Sequence, residues 1–179
     1  MKNILIISGH TDTQHDSVAN KTILEQLEKL LPGSRTVYLD RLYPDFQIDV
    51  QAEQEKLLWA DTIVLQFPVF WFSMPSILHR WMEQVFLHGF SHGSTGDKLR
   101  DKLLVVSYTT GAPAEAMDWE TFFTNLRGTC RFTGMQWGGC VGTGGVSYQL
   151  RNDPLMLAEI TAKAEQHARR LVEHLQMLS

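Results

Sequence analysis

Residues 61–81 constrain the fold most, because a strand pattern, an aromatic turn and a helix pattern follow one another there. The run 62–65 is almost wholly apolar and rich in β-branched residues, which is typical of a parallel strand covered on both faces. Pro68 ends the strand ladder, since proline has no N–H to donate, and Pro75 suits the first turn of the amphipathic helix that follows and extends to about residue 88. Residues 69–74 are therefore predicted to be a loop at the carboxyl edge of a sheet, where open α/β folds bind ligands.

This loop contains three adjacent large aromatic residues, Phe70, Trp71 and Phe72. Such residues are costly in a solvated loop unless something flat and apolar covers them. A bound ring system is one interpretation. The alternative is that they plug the end of the sheet or a subunit interface, and composition alone does not decide between the two.

The rest of the chain alternates strand and helix patterns without a repeat or a linker, which predicts one domain over residues 1–179. The expected fold class is α/β, with a five-stranded parallel sheet and helices on both faces. The expected elements are strands over 3–8, 35–39, 103–107 and 136–141, helices over 17–31, 51–59, 118–130 and 154–178, and a polar-aromatic connection over 40–50.

The first loop decides between two strand orders. Residues 8–13, Ser-Gly-His-Thr-Asp-Thr, lack the G-x-G-x-x-G turn of dinucleotide-binding folds. We therefore expect a three-layer fold with the order 2-1-3-4-5, that of flavodoxin, in which the ligand lies between strands one and three.

The loops after strands one and four carry polar groups that suit a nucleotide. Ser17, Val18, Ala19 and Asn20 open the first helix, where free N–H groups and the helix dipole can hold a phosphate, with the Ser17 hydroxyl and His10 as further donors. Helix capping by Asp16 or Ser17 would explain the same residues without a ligand. Thr109, Thr110, Gly111 and Ala112 follow strand four, and they suit either a polar ring edge or an ordinary turn. A phosphate site, an aromatic floor and a polar edge on neighbouring strand ends together indicate flavin mononucleotide.

The charge and cysteine content exclude some classes of function. Net charge is −4 and no basic cluster exceeds the pair 169–170, which argues against a nucleic-acid partner. The two cysteines have no metal-ligand spacing. The apolar run 4–7 is too short for a signal peptide or a membrane span, so a cytoplasmic protein is expected.

Beyond these features, the chain resembles the flavodoxin-like NAD(P)H quinone oxidoreductases, which include the small ancillary subunits of glutathione-gated potassium efflux systems. The resemblance covers nearly the whole chain. It is carried by His10, residues 17–21, the run 42–50 (Leu-Tyr-Pro-Asp-Phe-Gln-Ile-Asp-Val), Glu53 and Gln54, residues 66–72 with Pro75 and Trp81, Gly89 and Phe90, and residues 109–111.

The resemblance implies a homodimer that binds FMN, with FAD as the alternative cofactor. His10 and residues 17–20 would hold the phosphate. Pro68, Val69, Phe70, Trp71 and Phe72 would lie against the isoalloxazine, with the N–H groups of Trp71 and Phe72 directed at its N5 and O4 edge, and residues 109–112 would hold the pyrimidine side. NADH or NADPH would deliver hydride, and a quinone or another small electrophile would then accept two electrons. A peripheral position at the inner membrane face, beside a transporter, is also implied.

Two positions depart from the family pattern. Relatives carry a tyrosine near position 117, where this chain has Met117. After Gly89 and Phe90, relatives often have an aromatic residue that lines the partner's substrate pocket, and this chain has His92. His92 is therefore a candidate proton donor to reduced quinone, beside Trp71 and Phe72 as catalytic candidates; a solvated polar residue at the rim is the simpler reading.

Other signals are weaker. His88 and His92 lie four residues apart, but the glycines around them argue against a helix that presents both to zinc, so no metal site is expected. The glycines of 138–145 lack the lysine of a phosphate-binding P-loop. Two other function classes stay open: a regulatory subunit of a membrane transporter, and a one-electron carrier like flavodoxin, which the absence of a T-x-T-G-x-T loop disfavours.

Overall fold

The structure is a computed structural model that describes residues 2–178. Its strands and helices alternate along the chain. They are β1 Ile4–Ser8, α1 Ala19–Leu30, β2 Arg35–Tyr38, α2 Leu39–Leu42, α3 Val50–Trp59, β3 Thr62–Pro68, α4 Ser76–Val85, β4 Leu103–Thr109, α5 Trp119–Phe122, α6 Thr124–Thr133, β5 Gln136–Thr143 and α7 Pro154–Met177, with 3₁₀ turns at Ala114–Ala116 and Tyr148–Asn152.

The five strands form one parallel sheet in the order β2-β1-β3-β4-β5, which confirms the predicted fold class and strand order. The neighbouring strands β1, β3 and β4 lie in the middle, so their side chains are covered from both faces. This explains why these three segments lack the alternation of polar and apolar residues. Every residue of β3 and β4 is buried.

Each face of the sheet has its own apolar core. On one face, Ile6, Val64 and Val105 pack against α1 and α7. On the other face, the side chains of β1, β3 and β4 pack against α2 to α6, with Trp81 of α4 fully buried. Burial of one such large apolar side chain stabilises the fold by roughly 1.5–3 kcal/mol. Among residues 2–178, no helix has both the length and the apolar content needed to cross a bilayer.

Several element boundaries differ from those expected. The second strand ends at Tyr38, and Leu39–Leu42 is a short helix; four residues are too few to show helical periodicity. The helix expected over 118–130 is divided into α5 and α6 at Phe123, whose ψ of 23° departs from regular helix. Helix α4 ends at Val85, before His88, and β5 continues beyond residue 141 to Thr143.

A candidate nucleotide cleft at the carboxyl edge of the sheet

A cleft of about 340 Å³ opens at the carboxyl ends of β1, β3 and β4. Most of the predicted cofactor-binding residues line it, and Trp71, Phe72 and Ala112 do not. The lining consists of His10, Asp16, Ser17, Val18, Ala19, Asn20, Pro68, Val69, Phe70, Thr109, Thr110, Gly111, Val146, Ser147, Gln149 and Ile160.

His10 presents a hydrogen-bond donor to one end of the cleft. Its ring is almost fully buried, and Nδ1 accepts the Asp12 N–H at 2.9 Å. Burial lowers the pKa of His10, although the carboxylates of Asp16, Asp40 and Asp12 act in the opposite direction. The ring is therefore neutral at pH 7, and since Nδ1 is the acceptor, Nε2 carries the proton.

The start of α1 supplies further donors beside His10. The helical hydrogen bonds begin where the Thr22 N–H donates to the Val18 carbonyl at 3.0 Å, so the N–H groups before Thr22 lie outside the helical pattern. The Asn20 N–H donates to Ser17 Oγ at 3.1 Å, which means that Ser17 caps the helix. Capping occupies the oxygen of Ser17 as an acceptor and leaves its hydroxyl proton available for a ligand.

The Asn20 side chain adds an amide donor. Its Oδ1 accepts from Gln66 Nε2 at 2.8 Å and from Thr109 Oγ1 at 3.2 Å. Both bonds are made by Oδ1, so Nδ2 is the atom with which Asn20 can donate to a ligand in the cleft that it lines. With His10, Ser17 and the positive end of α1, this end of the cleft is built to bind an anion. The carboxylate of Asp16 opposes an anion, but Asp16 is exposed and water screens its charge.

The cleft also has an apolar part, which lies beside His10 and borders a strained turn. Phe70 lines the cleft, with its ring centroid 5.8 Å from that of His10. Phe70 and Ser73 exchange two backbone hydrogen bonds of 3.0 Å around Trp71 and Phe72. The φ values of Trp71 and Phe72 are +50° and +58°, a region that bulky residues rarely adopt. Trp71 and Phe72 are 96% and 76% exposed, and neither contributes to the lining of the cleft.

The loop after β4 forms the polar edge. Thr109, Thr110 and Gly111 line the cleft, whereas the Ala112 N–H turns inward and donates to Thr110 Oγ1 at 3.3 Å. The Thr109 hydroxyl donates to Asn20, so it orients that amide and is not itself a donor to a ligand.

His92 lies apart from this lining. Its ring packs against Phe132 with centroids 5.0 Å apart, and its Nδ1 is 2.9 Å from Ser91 Oγ. The His88 ring is 5.5 Å away, but residues 2–178 contain no group of three or more side chains that could hold a metal ion. The role of His92 at a partner's substrate pocket stays a prediction.

Sequence reasoning missed one wall of the cleft. Val146, Ser147 and Gln149 come from the segment after β5, and Ile160 comes from α7. The glycines before Val146 were the available signal: a Cβ on Gly144 would lie 2.3 Å from the Ala114 nitrogen. Glycine therefore lets the segment pass close to the loop after β4.

A parallel sheet of order 2-1-3-4-5 with a cleft at the carboxyl ends of β1 and β3 defines a flavodoxin-like protein. The chain belongs to the flavodoxin-like fold family whose model matches residues 2–171. A curated relative, the glutathione-regulated potassium-efflux system ancillary protein of Enterobacter sp. (strain 638), is 40% identical over 140 residues, which cover 75% of this chain and 78% of the relative.

Solved structures share the fold. A chain in a crystal structure described as a thermophilic tryptophan halogenase from Streptomycin violaceusniger has a TM-score of 0.78 and 29% identity, covering 91% of this chain and 96% of that one. The general stress protein 14 of Treponema denticola, solved in complex with FMN, has a TM-score of 0.80 and 20% identity, with coverage of 97% and 99%. An NADPH-quinone reductase from P. pentosaceus has a TM-score of 0.70 and 19% identity, with coverage of 94% and 98%.

Proposed function

We propose that this chain is an FMN-dependent NAD(P)H oxidoreductase that reduces quinones or similar small electrophiles by two electrons. The observation that carries the proposal is that one cleft combines hydrogen-bond donors suited to an anion, at His10 and the start of α1, with the apolar ring of Phe70 beside them. A ligand that carries both a phosphate and a flat apolar ring matches this combination.

The donor set fits FMN. The phosphate would accept hydrogen bonds from donors that line the same cleft: His10 Nε2, the Ser17 hydroxyl, the first N–H groups of α1 and Asn20 Nδ2. The complex of the Treponema protein with FMN and the name of the P. pentosaceus reductase support the same cofactor and reaction class. FAD is the alternative, and NADH and NADPH remain equal candidates for the donor.

The bound flavin would supply the redox chemistry, by accepting hydride from the nicotinamide and passing two electrons to the acceptor. The chain's own residues bind and orient. His10 and Asn20 would hold the phosphate, and Phe70 would exclude water from one edge of the ring. The strained turn would present the N–H groups of Trp71 and Phe72, whose side chains are free to cover a ring or to meet a partner.

A titration with FMN and riboflavin tests the cofactor assignment. Asn20→Asp keeps the shape of the side chain but replaces its donor with a charge. We expect FMN affinity to fall at least tenfold and riboflavin affinity to change much less, because riboflavin has no phosphate. Asn125→Asp, at an exposed position of α6, adds the same charge elsewhere and is the matched control. A wild-type protein that shifts neither flavin's visible band contradicts the proposal.

The relative at 40% identity favours a second candidate, an ancillary subunit of a potassium efflux transporter. Both functions can belong to one chain. Co-expression with the potassium efflux transporter of the same organism, followed by purification of the transporter, tests the partnership. We expect the flavin-loaded chain to copurify, and its absence from the purified transporter would leave the oxidoreductase proposal alone.

A further inference from the structure

A row of polar side chains crosses the protein interior between the sheet and α7. Gln66, Ser107 and Thr143 lie near the carboxyl ends of β3, β4 and β5, and His167 of α7 lies among them. All four are buried, His167 and Ser107 completely. Apolar residues would fill this space at lower cost, because a buried polar group destabilises the fold unless it is hydrogen-bonded.

His167 is the midpoint of the row. Burial, with the nearby charge of Arg170, lowers the pKa of His167 to about 3, so the ring is neutral. A neutral imidazole has one donor nitrogen and one acceptor nitrogen. Its Nε2 lies 2.7 Å from Ser107 Oγ and its Nδ1 lies 2.9 Å from Thr143 Oγ1. Because only one of the two nitrogens can donate, the hydrogen bonds on the two sides of the ring must point the same way along the row.

Arg170 stands at the outer end of the row. Its Nη2 donates to Thr143 Oγ1 at 2.7 Å and to the Gly142 carbonyl at 2.9 Å. A guanidinium has no acceptor, so this contact has a fixed direction. A hydroxyl that accepts from a cation becomes a better donor, and Thr143 therefore donates its own proton to His167 Nδ1.

The same direction of donation then continues along the row from His167 to the cleft. His167 Nε2 must donate to Ser107 Oγ, and Ser107 donates to Gln66 Oε1. Gln66 Nε2 donates to Asn20 Oδ1 at 2.8 Å, where Thr109 also donates. Asn20 is left with its Nδ2 donor for the cleft.

If all the hydrogen bonds of the row pointed the other way, Asn20 would offer the cleft an acceptor in place of a donor. An amide or imidazole can exchange donor and acceptor ends with almost no change of shape, so Asn20, Gln66 and His167 fit the same space either way. Reversal would present the Asn20 carbonyl oxygen to the cleft, and a carbonyl repels phosphate. In the row as described, the guanidinium of Arg170 is the group whose polarity cannot invert.

We propose that Arg170 is a positioning residue for the anion end of the cleft, and that it acts through Thr143 and His167 to keep the amide donor of Asn20 directed at the ligand. The inference rests on the proposed function, since it takes the ligand's anion to be the FMN phosphate. According to this inference, the row makes the cleft bind FMN more tightly than riboflavin.

The affinity ratio of FMN to riboflavin tests the row. Arg170→Met should weaken FMN binding roughly tenfold or more and leave riboflavin binding within about twofold. Arg169→Met removes the same charge from the neighbouring exposed position and should leave the ratio unchanged. Thr143→Val keeps the charge of Arg170 but breaks the row, so it should weaken FMN binding as Arg170→Met does. Thr143→Ser keeps the hydroxyl and should have the wild-type affinity ratio of FMN to riboflavin.

A wild-type ratio in Thr143→Val would overturn the inference, because the effect of Arg170 would then be charge acting at a distance. If the wild-type protein binds neither flavin, the proposed function fails instead. The ¹⁵N NMR spectrum of His167 tests the row without any flavin. We expect protonated Nε2 and pyridine-type Nδ1 in the wild type, and a share of the other tautomer in Arg170→Met. Protonated Nδ1 in the wild type would contradict the inference.

Discussion

His10 gives the cleft a residue whose protonation responds to its ligand. In the free protein, burial lowers the pKa of His10, so its ring is neutral. A bound phosphate favours the imidazolium form and raises that pKa. Because the ligand then binds the protonated ring more tightly, FMN affinity should fall as the pH is raised from the pKa of His10 in the free protein to its higher pKa in the complex.

Measurement of the FMN dissociation constant as a function of pH checks the sign of this change. The phosphate itself takes up a proton near pH 6, so the informative quantity is the difference between the wild type and His10→Gln, which has no titrating ring. Riboflavin should show no such dependence. FMN affinity that follows the same pH profile in the wild type and in His10→Gln would show that His10 does not meet the phosphate.

The turn between β3 and α4 combines backbone strain with exposed aromatic side chains. Phe72 has φ +58° and is 76% exposed, so its ring adds little to the packing within the chain. Glycine adopts this conformation without the steric cost, which is roughly 1–2 kcal/mol for other residues. We expect Phe72→Gly to raise the free energy of unfolding of the flavin-free monomer by about 1 kcal/mol and to weaken flavin binding.

Phe72→Ala separates the two contributions, since it removes the ring but keeps the strained backbone. Urea unfolding of the wild type and the two variants, without flavin, gives the comparison. A Phe72→Gly protein less stable than Phe72→Ala would show that the turn is not strained. Weaker flavin binding in both variants would assign the effect to the lost ring.

At the scale of elements, the structure explains why part of the family pattern, Glu53 and the run 42–50, is present in this chain. Glu53 of α3 is fully buried, and its carboxylate accepts from Tyr43 Oη at 2.7 Å and from Trp81 Nε1 at 2.9 Å, beside Lys56. Asp49 caps α3 by accepting the Ala52 N–H at 3.0 Å. These contacts join α3, α4 and the loop after α2, so this part of the family pattern supports the fold and does not line the cleft.

The strand order and most of the cleft lining were predictable because they depend on short-range patterns. The apolar runs of β1, β3 and β4 identify central strands, and the loops that follow them must meet at one edge. The contributions of α7 were not predictable in this way. His167 and Arg170 read as ordinary residues of a polar helix, and their partners Ser107 and Thr143 are far away in the sequence.

At the scale of the whole molecule, a homodimer remains a prediction, and the structure changes the argument for it. The sequence of α4 has apolar residues on more than one face, which by itself predicts a partner on that helix, but Trp81 and Val85 are fully buried within the chain. The most exposed tryptophan and phenylalanine residues are Trp71 and Phe72 in the turn and Phe132 of α6, which is 71% exposed and packs against His92. We expect such residues to lie in a subunit interface.

Light scattering at micromolar concentration should therefore report a dimer, and Phe132→Ser should shift it toward monomer. Leu155→Ser is the matched control, since Leu155 is also exposed, at the start of α7. If Leu155→Ser dissociates the dimer and Phe132→Ser does not, the interface lies elsewhere. A monomeric wild type with flavin bound would contradict the dimer.

Two substitutions separate cofactor binding from reaction with the acceptor. Trp71→Ala removes an exposed ring from the strained turn, and we expect flavin retention and turnover to fall together. His92→Ala should leave flavin bound and change mainly the kinetics with the acceptor, because His92 lies outside the cleft lining. Flavin loss in His92→Ala would contradict the assignment of this residue to a substrate rim.

Anaerobic stopped-flow absorbance tests the reaction as a whole. We expect NADH or NADPH to bleach the visible band of the flavin-loaded protein, and a quinone added afterwards to restore it, because the donor and the acceptor would use the same open face of the cleft in turn. The nucleotide that bleaches the band faster is the donor that the protein prefers. Asn125→Asp should behave as the wild type, since it is exposed on α6 and outside the cleft lining. If neither nucleotide bleaches the bound flavin, the oxidoreductase proposal is wrong. The remaining candidate would then be the ancillary subunit, which the relative at 40% identity favours. In that case the cleft would bind flavin that neither nucleotide reduces.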